Sequence, residues 1–260
     1  MCRDCGCTAG DDHLGGLLAA NDARAAVNRA LLDRHAVLAV NLMSSPGSGK
    51  TALLEATIDA LGDELRFAVI EGDLETENDA RRIRARGVPA HQITTGTACH
   101  LDAAMVAEAL EALDLNAVDI LFIENVGNLV CPASFDLGHH RNVTLLSVPE
   151  GDDKPAKYPV MFRAADAVVI NKIDLVAVMP DFSPARAEAR LRRLANEAPV
   201  FGLSARTGAG LAAWRQWLDD SLARHRRALD AGGTTRPRLQ PEGLQHHGQP
   251  VAEQRHVHDG

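Results

Sequence analysis

The chain has 260 residues, a formal net charge of −8, 46% hydrophobic residues and only 3% aromatic residues. An acidic balance of this size excludes a nucleic-acid surface built on excess Lys and Arg, and no apolar run approaches the ~18 residues of a membrane-spanning helix. The apolar content suffices for one sizeable domain with extensions or at most two small ones, with a core built of Ala, Leu, Val and Ile.

Residues 1–13 are rich in Cys, Gly and Asp without periodicity and predict a mobile arm. Met1-Cys2-Arg3-Asp4-Cys5 lacks the apolar stretch of a signal peptide. The expected compartment is therefore the cytoplasm, where the five cysteines stay reduced and form no disulfide framework. Residues 14–34 space Leu14, Leu17, Leu18, Val27, Leu31 and Leu32 as a helix. The apolar run 37–43 then predicts a buried parallel strand, followed by a glycine-rich turn and a helix over 50–61. The alternation continues with strand 66–70, helix 78–86, strand 90–94, helix 99–113 and strands 118–123 and 143–148. Strand 167–171, helix 184–197, strand 200–203 and helix 211–226 complete it. Strands separated by helices mean an α/β fold, a mostly parallel sheet covered on both faces. The expected domain spans 14–228, and the Gly-, Pro-, Gln- and His-rich residues 229–260 predict a disordered tail.

Ser44-Ser45-Pro46-Gly47-Ser48-Gly49-Lys50-Thr51 lies between the first strand and its helix and matches a Walker A loop, with Ser44 in place of the first glycine. In such a loop Gly47, Ser48 and Gly49 turn backbone N–H groups onto phosphates. Lys50 reaches the β- and γ-phosphates, and the Thr51 hydroxyl ligates Mg²⁺. Asn171-Lys172-Ile173-Asp174 follows a late strand. Asp174 can accept from guanine N1–H and N2–H₂, whereas adenine would leave it desolvated and unpaired, so the nucleotide expected is GTP. Lys172 would lie over the base and Asn171 would tie this loop to the phosphate site. Ser204-Ala205 would offer a backbone N–H to guanine O6.

Glu71-Gly72-Asp73 and Glu124-Asn125-Val126-Gly127 close two strands at the sheet edge where α/β ligands bind. Asp73 is a candidate to ligate Mg²⁺ or position water, Glu124 to hold Mg²⁺ through water, and Gly127 to contact the γ-phosphate and release it on hydrolysis.

Cys2, Cys5 and Cys7 put three thiols within six residues, with Gly6 allowing a tight turn. Such a set suits Ni²⁺ in square-planar sulfur–nitrogen geometry, or Zn²⁺ tetrahedrally. Cys99 and His100 open a helix in this reading, and Cys131 follows Gly127 closely. A metal held by these three would touch the segment that hydrolysis moves, and a symmetric dimer would double the ligands. Of the basic residues 23 are Arg, and the four Lys are Lys50, Lys154, Lys157 and Lys172. Two of those lysines and the only tyrosine, Tyr158, fall in 150–162, which is expected at a dimer interface beside the nucleotide.

The Cys2-x-x-Cys5-Gly6-Cys7 start, the Walker loop, Cys99-His100, Asn125-Val126-Gly127-Asn128-Leu129-Val130-Cys131-Pro132 and Glu150-Gly151-Asp152-Asp153-Lys154-Pro155 together resemble the HypB family, accessory GTPases of nickel–iron hydrogenase maturation. The resemblance covers about 14–218 plus the N-terminal motif. It implies a P-loop NTPase of the SIMIBI class that dimerises with GTP and hydrolyses it slowly to GDP. It also implies a labile metal site at Cys99, His100 and Cys131 shared across the dimer, and delivery of Ni²⁺ to the hydrogenase large-subunit precursor with a HypA-like partner. Family members often carry a His-rich stretch near the N-terminus. This chain has His246, His247, His256 and His258 near its other end instead. The rival readings are a urease-type nickel accessory GTPase, which the N-terminal cysteines and the Lys154 segment argue against, and a passive metal store, which the full phosphate site argues against.

Overall fold

The computed structural model describes residues 7–73, 77–96 and 100–238. Cys2, Cys5, Cys99 and the histidines at 246, 247, 256 and 258 lie outside the described residues. In chain order the elements are α1 (Cys7–Arg34), β1 (Leu38–Ser44), α2 (Lys50–Leu61), β2 (Phe67–Asp73), α3 (Asn78–Arg84), β3 (Ala90–Thr94), α4 (Ala103–Glu111) and β4 (Ile120–Glu124). Then come β5 (Arg141–Ser147), the short helices α5 (Lys154–Lys157) and α6 (Pro159–Arg163), β6 (Ala167–Asn171), α7 (Pro184–Arg193), β7 (Val200–Gly202) and α8 (Leu211–Asp230). The strands form one seven-stranded sheet in the order β3-β2-β4-β1-β5-β6-β7, with every pairing parallel. No helix among the described residues is long and apolar enough to cross a membrane.

The two-residue period of the strands divides the core into layers. Leu38, Val40 and Leu42 of β1 meet Leu53, Leu54 and Ile58 of α2 and Trp214 and Leu218 of α8. Val37 and Ala39 join Ile70, Leu121 and Ile123 on the opposite face, against Leu32 of α1 and Val106 and Leu110 of α4. Met43, Leu146 and Ile170 carry a third cluster with Phe162 of α6 and Leu191 of α7. The one polar atom of Trp214 is matched, its Nε1–H donating to Thr57 Oγ1 at 2.9 Å. Truncating a buried leucine such as Leu53 to Ala should cost about 2–5 kcal/mol. The sheet order changes direction at β1, so the loop after β1 opens into the crevice that such a switch point creates at the strands' C-terminal ends.

Several elements differ from the sequence expectation in ways that matter for the site. β2 runs on through Asp73, so Glu71 is a strand residue with a register partner. The helix expected from Cys99 starts at Ala103, because Asp102 takes the N-cap and accepts from Met105 N–H at 2.8 Å; His100 lies in the loop before it. α1 starts at Cys7, so residues 7–13, expected to belong to a mobile arm, are helical. It is pinned to the domain: Asn28 donates to Ala103 O and Leu137 O, and Arg29 clamps Asp136 through Nη2 at 2.7 Å. α8 continues to Asp230, and residues 231–238, read as tail from the sequence, lie on the domain. There Thr234 Oγ1 donates to Asp33, Arg238 N–H reaches Asp166, and Pro237 is buried.

Candidate functional site

The loop after β1 curls around the N-terminus of α2. Gly49 has φ 95°, a left-handed conformation open to glycine, and a Cβ added there would sit 2.6 Å from Asn171 Nδ2. That contact is the meeting of two loops far apart in sequence. Asn171 Nδ2 donates to Ser48 O at 3.0 Å, and its Oδ1 accepts from Lys172 N–H at 2.7 Å and Ala205 N–H at 3.2 Å. One amide therefore joins the phosphate loop, the Asn-Lys-Ile-Asp loop and the Ser204-Ala205 turn. Lys172 is itself left-handed at φ 61°, and its Nζ donates to Gly47 O at 2.7 Å. Asp174 is exposed in the 3-10 helix Ile173–Val178 that follows. The Ala205 N–H, expected to face a base, is engaged by Asn171.

Next to this junction lies a cleft of about 410 Å³ whose wall includes Gly47, Gly49, Lys50, Thr51, Asp73, Glu124, Gly127 and Lys172. Lys50 Nζ donates to Ser44 Oγ at 3.2 Å and lies 3.8 Å from Glu124 Oε1. Thr51 Oγ1 donates to the same Glu124 oxygen at 3.1 Å. Gly127 is pressed so close to the phosphate loop that a Cβ would fall 2.9 Å from Pro46 Cα.

Three residues of this site had no role assigned in the sequence reading. Glu71, the register partner of Glu124, lines the same cleft and is buried. Burial first, then the Glu124 charge beside it, holds its carboxyl well above the ordinary range, and burial likewise raises Glu124 against the opposing pull of Lys50. Glu150 caps the turn after β5: its Oε2 accepts from Ser147 N–H at 2.7 Å and lies 2.8 Å from the Ser48 hydroxyl, bracing the phosphate loop from below. Asn125 Oδ1 accepts from Leu101 N–H at 3.2 Å and Val126 N–H at 3.0 Å, while its Nδ2 donates to Asn41 Oδ1. The signals available in the sequence were position near the C-terminal end of a strand and, for Asn125 and Glu150, the family-like segments 125–132 and 150–155.

His100 stacks on Phe135 at 4.0 Å between centroids, and burial lowers its pKa. Cys131 opens the 3-10 turn 131–134 that leads into Phe135, so the His100 loop and the Cys131 segment are joined by this stack. In 150–162, Lys157 pairs with Asp153 at 2.5 Å, and Lys154 Nζ sits 5.5 Å from the Tyr158 ring centre. Asp152 turns inward to Arg186 and Arg190 of α7.

Among the described residues Asp33, His140 and His225 bring three potential metal-ligating atoms within 4.8 Å of one another, at the opposite end of the sheet. The Ala39 N–H donates to His140 Nδ1 at 2.9 Å, which puts the ring proton on Nε2, facing Asp33 Oδ1 at 3.1 Å. That imidazole offers no lone pair to a cation, and the trio is a packing cluster joining α1, the turn before β5, and α8.

A family model described as "CobW/HypB/UreG, nucleotide-binding domain" matches residues 38–202. The chain is 50% identical over 226 residues to the hydrogenase maturation factor HypB of Azotobacter vinelandii, covering 83% of this chain and 74% of that protein. Its structure is similar to that of HypB from Helicobacter pylori in complex with nickel, with a TM-score of 0.75 and 46% identity over 78% of this chain and 95% of that one. It is also similar to the hydrogenase maturation factor HypB from Archaeoglobus fulgidus, with a TM-score of 0.74 and 39% identity over 79% of this chain and 100% of that one. A nucleotide-binding domain of this sequence and shape makes the chain a P-loop NTPase of the CobW/HypB/UreG family, and within it the chain belongs to the HypB proteins.

Proposed function

We propose that this protein hydrolyses GTP to GDP and phosphate and uses the cycle to hold and release nickel for hydrogenase maturation. The observation that carries the reading is the Asn171 amide, which fastens the Asn-Lys-Ile-Asp loop to the backbone of the phosphate loop. With that loop fixed, Asp174 accepts the N1–H and N2–H₂ donors of guanine, and an adenine nucleotide leaves the carboxylate unpaired. The N–H groups of Gly49, Lys50 and Thr51 at the start of α2 receive the phosphates, and Lys50 neutralises the β- and γ-oxygens. The hydroxyl and carboxylates of Thr51, Glu124 and Asp73 suit a hard divalent cation, and Glu124 Oε2 is a buried acceptor without a protein partner. These residues would hold Mg²⁺, which when bound screens the phosphate charge. Gly127, against Pro46, presents its N–H to the γ-phosphate.

Nickel is the cargo. Cys99, His100 and Cys131 form one site, which pairing of two copies with GTP completes, and Cys2, Cys5 and Cys7 form another; both also accept Zn²⁺. Supporting this, a structural relative carries nickel and the sequence relatives are hydrogenase maturation factors. A HypA-like protein and the hydrogenase large-subunit precursor are the partners this role requires, and the Lys154 segment, at the sheet edge that carries the phosphate loop, is the surface for the second copy. The test is phosphate release from GTP and ATP, with and without nickel. GTP turnover that Lys50→Ala abolishes supports the reading; equal turnover of ATP would refute it.

A further inference from the structure

We propose that Glu71 is a second carboxylate for the divalent cation that accompanies the nucleotide, acting beside Glu124. The inference rests on the reading that Thr51 and Glu124 hold that cation, and deepens it.

The argument begins with strand register. Glu71 of β2 and Glu124 of β4 are direct partners in a parallel ladder, so their side chains leave the same face of the sheet on adjacent strands. Neighbouring strands lie about 4.8 Å apart, and like charges at facing positions destabilise a sheet. Both residues are nonetheless buried, at 2% and 6% exposure, on the wall of the cleft that holds Lys50 and Thr51. The two carboxyls share a hydrogen bond, and Thr51 donates to one oxygen of Glu124. Glu71 Oε1 and Glu124 Oε2 are buried oxygens without a hydrogen-bond partner.

A carboxylate kept for structure looks different. Asp119, equally near the end of a strand, has both oxygens taken by Arg66 and one of them also by Arg226. Lys50 lies 3.8 Å from Glu124, and in a phosphate loop that ammonium is committed to the nucleotide. Asp73 and Asp79 at the same rim add negative charge. Two inward carboxylates with one open oxygen each, beside the Thr51 hydroxyl, supply the oxygen donors Mg²⁺ prefers, directly or through its retained waters.

The test uses Mn²⁺ as the probe, titrated by electron paramagnetic resonance into the full chain with GDP bound, alongside melting curves in chelator. Glu71→Gln should weaken Mn²⁺ about ten-fold or more. Because the amide cannot supply a carboxylate to the cation, the same variant should gain less thermal stability than the parent on adding Mn²⁺. Should that variant not fold, Glu71→Asp serves, since withdrawing the carboxylate by one methylene should also weaken Mn²⁺. Parental Mn²⁺ affinity in the folded variant overturns the proposal. If Thr51→Ala and Glu124→Gln also keep parental Mn²⁺ affinity, the underlying cation reading falls as well; if they lose it while Glu71→Gln does not, only the role of Glu71 falls.

Discussion

The side-chain oxygen of Asn125 accepts the backbone N–H of Leu101 at 3.2 Å, joining the loop that carries His100 to the loop that carries Gly127. Leu101 also packs on β2 at Gly72, where a Cβ would come within 2.9 Å of its side chain. The Asn125 amide continues to Asn41 and from there to Asn142, against which His139 Nε2 lies at 2.7 Å. Asn125→Ala strands the buried N–H groups of Leu101 and Val126, a cost of about 1–3 kcal/mol. Urea unfolding should show that loss, and hydrogen exchange should show faster exchange at those two amides. Unchanged exchange at Leu101 would mean that this bond does not hold the His100 loop.

Base selectivity rests on Asp174. Asp174→Asn replaces an acceptor with a donor facing the guanine donors, and the expected loss is about 2 kcal/mol, roughly thirty-fold in GTP affinity. Xanthosine nucleotides, which carry a 2-oxo group, should bind the variant better than GTP does. Calorimetric titration with both nucleotides checks this, and a variant that still prefers GTP contradicts the proposed contact.

Acid should loosen the base of the domain. Burial holds His139 and His225 down at about 4, and lowers His140 too, so all three imidazoles are neutral in the fold. Their unfolded pKa is about 6.5. Between that value and about 4 the unfolded chain therefore binds protons that the folded chain refuses. Stability is fully present above the unfolded pKa and falls as pH drops through this window, by up to about 1.4 kcal/mol per pH unit for each group. Urea unfolding at several pH values should show the slope, and His225→Gln should flatten it. An identical slope in that variant would assign the acid sensitivity elsewhere.

Two truncations separate the ordered part of the C-terminus from the rest. Removing 239–260 takes away His246, His247, His256 and His258 and should lower the number of weakly bound nickel ions while leaving the melting temperature alone. Removing 231–260 also takes the donors that Thr234 and Arg238 give to Asp33 and Asp166, and should cost about 1–3 kcal/mol. Equal nickel stoichiometry in the parent and the shorter truncation would show that those histidines hold no metal.

The sequence by itself determined the local features. A glycine-rich loop between an apolar run and a helix is a short-range pattern, and α2, β3 and β6 begin and end where the residues predict. The phosphate loop, the Asn-Lys-Ile-Asp loop and the acids at the strand ends were legible for the same reason, since each is a few neighbouring residues with one chemical purpose. Only the tertiary structure decided which distant residues face each other. Glu71 became the neighbour of Glu124 because burying Val69 and Ile70 on one strand beside Phe122 and Ile123 on the next sets the register between them. Glu150 reached Ser48, and Asn125 reached Leu101, across 102 and 24 residues of chain. No periodicity in the sequence encodes such a pairing, because it follows from how the layers close, and a carboxylate or an amide acquires its role from the partner that closure brings to it.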